Sequence, residues 1–159
     1  MFKKILPRMH CASAYEIDFQ SFYDMGYRAV LFDVDNTLVL HDAPATEQAA
    51  ELFSRLRETG FKTCIVSNNS QERIEPFARH VQSPYEFLAA KPGPSGYENA
   101  MSRLGVSAEK TIMVGDQLFT DIRGANKLGI YSIFVKPMGA DPIFGIKLRR
   151  IAEWFILLN

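Results

Sequence analysis

The apolar run Ala29-Val30-Leu31-Phe32 leads into Asp33-Val34-Asp35-Asn36-Thr37, two carboxylates two residues apart at the close of a hydrophobic segment. A carboxylate placed there can attack phosphorus and hold the phosphoryl group as an acyl phosphate that water then cleaves. Nucleophile and phosphate are both anions, so the attack needs a cation between them. Mg²⁺ suits a site of one or two carboxylates completed by phosphate and water oxygens. Asp33 is the nucleophile in this reading. Asp35 projects to the same side if the chain stays extended, and can protonate the leaving oxygen and then deprotonate water. Thr37 can hydrogen-bond locally and hold the turn. Three more groups follow in order along the chain. Ser67-Asn68-Asn69-Ser70 places a hydroxyl before a helix start, a natural anion cradle. Lys91 precedes Pro92-Gly93-Pro94, a stiff turn that can hold its ammonium against phosphate and the crowded carboxylates. Gly115-Asp116 closes another apolar run and offers a second metal carboxylate, with Thr120 and Asp121 one turn on to orient it or a bound water. Singly, each fragment has an ordinary explanation: a turn aspartate, a surface Lys-Pro, a polar loop. Their order argues for catalysis.

The elements that must position these groups alternate in type. Residues 28–34, 62–66, 85–89, 111–114 and 130–135 read as strands, the third of them weak. Residues 46–59 read as a helix with Ala49, Leu52, Phe53 and Leu56 in one stripe, Thr46 as N-cap and Gly60 just past the end. Further helices are expected at 71–80 behind Ser70, at about 94–104 ending at Gly105, and at 118–128 ending at Gly129. Alternation of this kind predicts an α/β fold, a doubly wound parallel sheet with helices on both faces. Ligands of such sheets bind beyond the carboxyl ends of the strands at a switch in strand order. All four groups follow strands, so all four are expected at that end.

The ordered set resembles the haloacid dehalogenase (HAD) superfamily of aspartyl phosphatases, matching its four motifs with Asp33-Val34-Asp35-Asn36-Thr37, Ser67-Asn68, Lys91, and Gly115-Asp116 with Asp121. The resemblance covers about residues 28–136. It implies Asp33 as nucleophile and metal ligand, and Asp35 as acid and base with its carbonyl on Mg²⁺. It implies Thr37, Ser67, Asn68 and Lys91 around the phosphoryl group, Asp116 completing the metal site, and Thr120 and Asp121 behind it. The wording Asp-x-Asp-Asn-Thr-Leu, Ser-Asn-Asn and Gly-Asp-Gln-x-x-Thr-Asp is similar to subfamily IIIA and its YqeG-like group. The segment 6–27 and the spacing Lys147, Arg150, Glu153 fit that group, which is related to phosphatidylglycerophosphate phosphatases.

Many members carry a cap domain inserted after the first or second motif. Residues 38–66 and 68–90 are each too short for one of even about 50 residues. An open site follows, fit for a lipid phosphate or a phosphoprotein, or one covered by a partner subunit and restricted to small sugar or nucleotide phosphates. His41 and Asp42 lie in the loop after Thr37, where a leaving group could meet them; an exposed loop histidine is the plainer reading. At about 142–158 an amphipathic helix is expected, with Asp141-Pro142 at its start. Phe144, Leu148, Ile151, Phe155 and Leu158 share one face, widened by Ile143, Trp154 and Leu157, beside basic Lys147, Arg149 and Arg150. That face either packs on the sheet, joins a second copy, or lies on a membrane surface.

At 159 residues the chain is expected to be a single domain, 1–159. Its 18 acidic and 18 basic residues balance, so charge points to no nucleic-acid partner. Cys11 and Cys64 suggest neither a disulfide framework nor a zinc site. Met1 to Leu6 begin like a signal peptide, but Pro7, Arg8 and His10 interrupt any apolar core. A cytoplasmic protein, with membrane contact through the last helix as the variant reading, is the expectation. Two other functions use similar residues. A receiver-type phospho-acceptor domain places its acceptor Asp on a later strand and its Lys last, the reverse of the order here. A non-enzymatic binding module would not need a competent residue at every catalytic position.

Overall fold

A computed structural model describes residues 4–140 and 144–158. The chain runs β1 (Met9–Cys11), α1 (Phe19–Asp24), β2 (Ala29–Phe32), α2 (Glu47–Thr59), β3 (Lys62–Val66) and α3 (Gln71–Val81). It continues with β4 (Tyr85–Glu86), α4 (Ser95–Leu104), β5 (Thr111–Gly115), α5 (Arg123–Leu128), β6 (Tyr131–Val135) and α6 (Phe144–Leu157). The expected α/β fold is found: one six-stranded sheet in the order β1-β6-β5-β2-β3-β4, parallel at every pairing. From β2 the chain steps outward to β3 and β4, then returns to β5 on the other side of β2. The switch in strand order therefore falls between β2 and β5, where Phe32 pairs with Val114.

The central strands are buried on both faces, so they read as unbroken apolar runs. Val30 and Phe32 face one core cluster with Phe53 of α2 and Phe77 of α3, while Ala29 and Leu31 face the other with Tyr97 of α4 and Ala125 of α5. That alternation is the two-residue period of a strand, sorted onto two helical layers. The end signals of α2 act as expected: Thr46 Oγ1 accepts from the Ala49 amide at 3.1 Å, and Gly60 takes φ 114°.

Several expectations change. The 28–34 strand stops at Phe32, because the Thr37 and Leu38 amides fold back onto the Val34 carbonyl and Asn36 takes φ 61°. The 85–89 strand is only two residues long, since Leu88 and Ala90 have positive φ. The single helix at 118–128 is two pieces, a π-helical turn over Leu118–Ile122 followed by α5. β1 was not anticipated; a three-residue edge strand with a half-exposed pattern carries almost no periodic signal.

The last helix departs furthest. Leu148, Ile151, Trp154, Phe155 and Leu158 are exposed, so this apolar face does not pack on the sheet. The opposite side is buried instead: Glu153 is 3% exposed, and Ile156 and Leu157 pack on Leu118, Ile122 and Phe134. The expected start of this helix at Asp141-Pro142, and Ile143, lie outside the described residues.

Candidate active site

Asp33 follows β2 and Asp116 follows β5. The Asp33 amide donates to the Val114 carbonyl at 3.0 Å, which ties the two strand ends together. Carboxylate oxygens of Asp33, Asp116 and Asp121 lie within 4.8 Å of one another, and all three residues are buried. Lys91 enters this cluster from the loop after β4. Its Nζ donates to Asp33 Oδ1 at 2.9 Å and to Asp121 Oδ1 at 2.6 Å. Burial opposes the charge on Lys91, but Asp121 and Asp33 outweigh it and hold the ammonium above its ordinary range. Thr37 Oγ1 donates to Asp116 Oδ1 at 2.8 Å and sits 3.5 Å from Asp33 Oδ2, so it bridges the two carboxylates.

Three buried acids at one point repel. Burial, then Asp33 and Asp121, push the Asp116 carboxyl well above the usual range, with Arg150 opposing. Burial and Asp33 likewise raise Asp121 to about 6 against the pull of Lys91. Hard oxygen donors that crowd and repel are the donor set of a divalent cation such as Mg²⁺. The residues fit the group.

Asp121 reaches the cluster through the π-helical turn. The wide turn returns it beneath Asp116, where its Oδ2 accepts from the Gln117 amide at 3.2 Å. A side chain at 115 would block that return: a Cβ there would lie 2.4 Å from Asp121 Oδ2. The Tyr97 hydroxyl donates to the carbonyls of Thr120 and Asp121, each at 3.0 Å. Thr120 itself turns to Gln117, its hydroxyl donating to Oε1 at 3.2 Å.

Asp35 stands apart. Its carboxylate groups with His41 and Asp42 and not with the buried cluster, because extended geometry ends before it. It accepts from the Asp42 amide at 2.8 Å, from Arg73 Nη2 at 3.0 Å and from Asn69 Nδ2 at 3.2 Å. Burial would raise its pKa, but those donors and the Arg73 charge prevail and hold it below the usual range. His41 Nε2 pairs with Asp42 Oδ2 at 3.2 Å.

Ser67 is buried at the end of β3, its Oγ accepting from the Asn69 amide at 3.0 Å. Asn68 uses its side chain on Lys91: Oδ1 accepts from the Lys91 amide at 2.7 Å, and Nδ2 donates to the Lys91 carbonyl at 3.1 Å. The Asn68 side-chain amide, expected beside the phosphoryl group, fastens the lysine that faces Asp33.

Sequence reasoning gave no role to Arg73 or Tyr97, and read Arg150 and Glu153 only as a C-terminal spacing and a basic flank, not as part of the site. Arg150 of α6 donates to both the carboxylate and the carbonyl of Asp116. Glu153 pairs with Arg150 at 3.2 Å and accepts from the Leu118 amide at 2.8 Å. The i, i+3 spacing of Arg150 and Glu153 was the available signal. Nothing local said that this pair faces inward.

A family model for haloacid dehalogenase-like hydrolases matches residues 39–129. The chain is 32% identical to the probable phosphatase YqeG of Bacillus subtilis (strain 168) over 159 residues, 99% of this chain and 92% of that protein. The chain belongs to the haloacid dehalogenase-like hydrolase family. It is also 26% identical to a chloroplastic phosphatidylglycerophosphate phosphatase 1 of Chlamydomonas reinhardtii, over 95% of this chain and 61% of that longer protein. A HAD phosphatase structure from Thermococcus onnurineus shares the fold, with TM-score 0.54 and 19% identity over 79% of this chain and 97% of that one. This family member is a phosphatase by class, and it carries no inserted cap domain between Asp33 and Asp116.

Proposed function

We propose that this phosphatase hydrolyses phosphomonoesters through an aspartyl phosphate on Asp33. The observation that carries the reading is the buried Asp33, Asp116, Asp121 cluster, paired to Lys91 at the switch point of the sheet. In the first step an Asp33 carboxylate oxygen bonds to phosphorus and the bond from phosphorus to the leaving oxygen breaks. Asp35 gives that oxygen its proton. In the second, Asp35 takes a proton from water, the water oxygen bonds to phosphorus, and the Asp33–phosphorus bond breaks. Lys91 and Ser67 hold the phosphoryl oxygens. Asp33 and Asp116, with the Asp35 carbonyl, would hold Mg²⁺, which offsets phosphate charge during attack. Asp35 starts bound to Arg73, so its use as an acid requires substrate to loosen that pair.

Two substrate classes suit the site. A lipid phosphate is favoured by the exposed face of Leu148, Ile151, Trp154 and Leu158 beside basic Lys147 and Arg149, a composition that fits an anionic membrane surface. The names of the phosphatidylglycerophosphate phosphatase relatives agree with that choice. A small sugar or nucleotide phosphate is the second class, with a partner subunit over the same face.

Asp33→Asn is expected to abolish Mg²⁺-dependent phosphate release from an aryl phosphate while leaving the circular dichroism spectrum unchanged. Undiminished turnover in that variant, or full wild-type activity in EDTA, would overturn the mechanism. A screen of phosphosugars, nucleotides, phosphopeptides and lipid phosphates separates the substrate classes.

A further inference from the structure

The groups above account for the phosphoryl end of a substrate and leave the cavity beside Lys91 unused. It has a volume of 650 Å³ and opens between α6 and the loops that follow β4 and β5. Asn68 and Lys91 line it on the catalytic side, with Phe119, Arg123, Leu148 and Arg149 around the rest. Lys91 Nζ is 2.9 Å from the proposed nucleophile, so the leaving group of a phosphoester at Asp33 has this cavity as a neighbouring space.

Its electrostatics are one-sided. Three of its lining residues are cationic and none is acidic. The Lys91 charge is committed to Asp33 and Asp121. Arg123 and Arg149 have no carboxylate partner among the described residues, although the chain as a whole is neutral. Two guanidinium groups on one cavity repel each other, and an anion between them relieves that repulsion. Guanidinium matches phosphate oxygens with paired, charge-assisted hydrogen bonds. Phe119 and Leu148 supply apolar wall for a short carbon linker. The volume lies within the range of small-ligand pockets, about 300–1,000 Å³.

We propose that Arg123 and Arg149 form a subsite for a second anionic group of the substrate. The substrate is then a phosphomonoester that carries another phosphate, as ester or diester, a few bonds from the one removed. This deepens the proposed function and rests on it for the position of the first phosphate. A soluble bisphosphate and a lipid head group share this chemistry.

Binding tests the subsite without turnover. In the Asp33→Asn background with Mg²⁺, calorimetry compares propane-1,3-diol bisphosphate with propyl phosphate. The bisphosphate is expected to bind about tenfold tighter or more, the scale of one charge-assisted hydrogen bond. Adding Arg123→Gln and Arg149→Gln is expected to remove that preference. Both arginines are exposed, so the substitutions leave the fold intact. Equal binding of the two ligands, or a preference that survives the double substitution, overturns the subsite. If the preference holds while wild-type enzyme hydrolyses no phosphoester, the subsite stands and the phosphatase mechanism falls. A second arm measures kcat/KM for the soluble bisphosphate and for phosphatidylglycerophosphate in phosphatidylcholine vesicles. A loss of about tenfold in Arg123→Gln/Arg149→Gln on one of them assigns the source. A loss on neither overturns the proposal.

Discussion

Asp35 and Asp33 are two residues apart and have opposite surroundings. Asp33 faces Lys91 and two other acids; Asp35 faces Arg73, Asn69 and the Asp42 amide. The folded pKa of Asp35 lies below its ordinary 3.8. A depressed carboxylate adds stability that is fully present above the unfolded pKa and is lost as pH falls through the folded one. Asp35 is therefore expected to contribute a loss of unfolding free energy on acidification between about pH 5 and pH 2, a slope opposite in sign to that of the raised Asp116 and Asp121 carboxyls. Arg73→Met should flatten that slope. It also loses the hydrogen bond from Arg73 to the Ala43 carbonyl, a cost independent of pH, so the slope measured by urea unfolding is the readout. Cys64 gives a second prediction at this scale. Burial, with Glu86 adding to it, pushes its thiol up to about 12. Native protein at neutral pH is expected to leave Cys64 unmodified by iodoacetamide, and unfolded protein to label it, as mass spectrometry of the peptides would show.

The decisive element is the π-helical turn between β5 and α5. A regular helix would carry Asp121 past Asp116; the extra residue in the turn brings it back to Lys91. The Tyr97 hydroxyl supports the turn by donating to two of its carbonyls. Tyr97→Phe removes the donor to both carbonyls, the Thr120 carbonyl keeping the Arg123 amide, a cost of about 1 kcal/mol. Thermal unfolding should register it, and kcat should fall because Asp121 no longer holds Lys91 in place. Full activity in Tyr97→Phe would mean that the turn keeps its shape without the hydroxyl. The helix at 46–59 was readable from its stripe and caps, and that at 94–104 from its closing Gly105. The π turn was not, because its apolar positions fit an ordinary helix equally well. Its cause lies in α4 and in the glycine at 115, which are distant in sequence or act only through packing.

Over the whole molecule, α6 turns Arg150 and Glu153 inward to Asp116 and the π turn, with Ile156 and Leu157 packed beside them, and leaves Leu148, Ile151, Trp154, Phe155 and Leu158 outward. Among the described residues no helix is long and apolar enough to cross a membrane. The proposed lipid substrate would be met through the exposed face of α6 lying on a membrane surface. Full-length protein is expected to float with vesicles containing anionic lipid, and Ile151→Glu/Trp154→Glu to remain in the dense fractions. Both residues are more than half exposed, so the fold tolerates the change. Flotation of neither protein would sink the membrane reading and favour a soluble substrate.

The residue types and their order carried the proposed chemistry. Asp33, Lys91 and Asp116 each follow a strand, and a parallel sheet collects the ends of its strands at one edge, so the meeting of these three was legible in the sequence. The two-sided core was legible as well, because central parallel strands must be apolar on both faces. Only the tertiary structure decided which strands are neighbours, and so that Asp33 lies beside Asp116 across the β2–β5 pair. It also decided that Asp35 turns to Arg73, that Asn68 fastens Lys91, and that α6 presents Arg150 to Asp116 in place of an apolar face. Each of these depends on partners 23 to 38 residues away. Helical period tells how residues divide between two faces; what those faces meet depends on the rest of the chain.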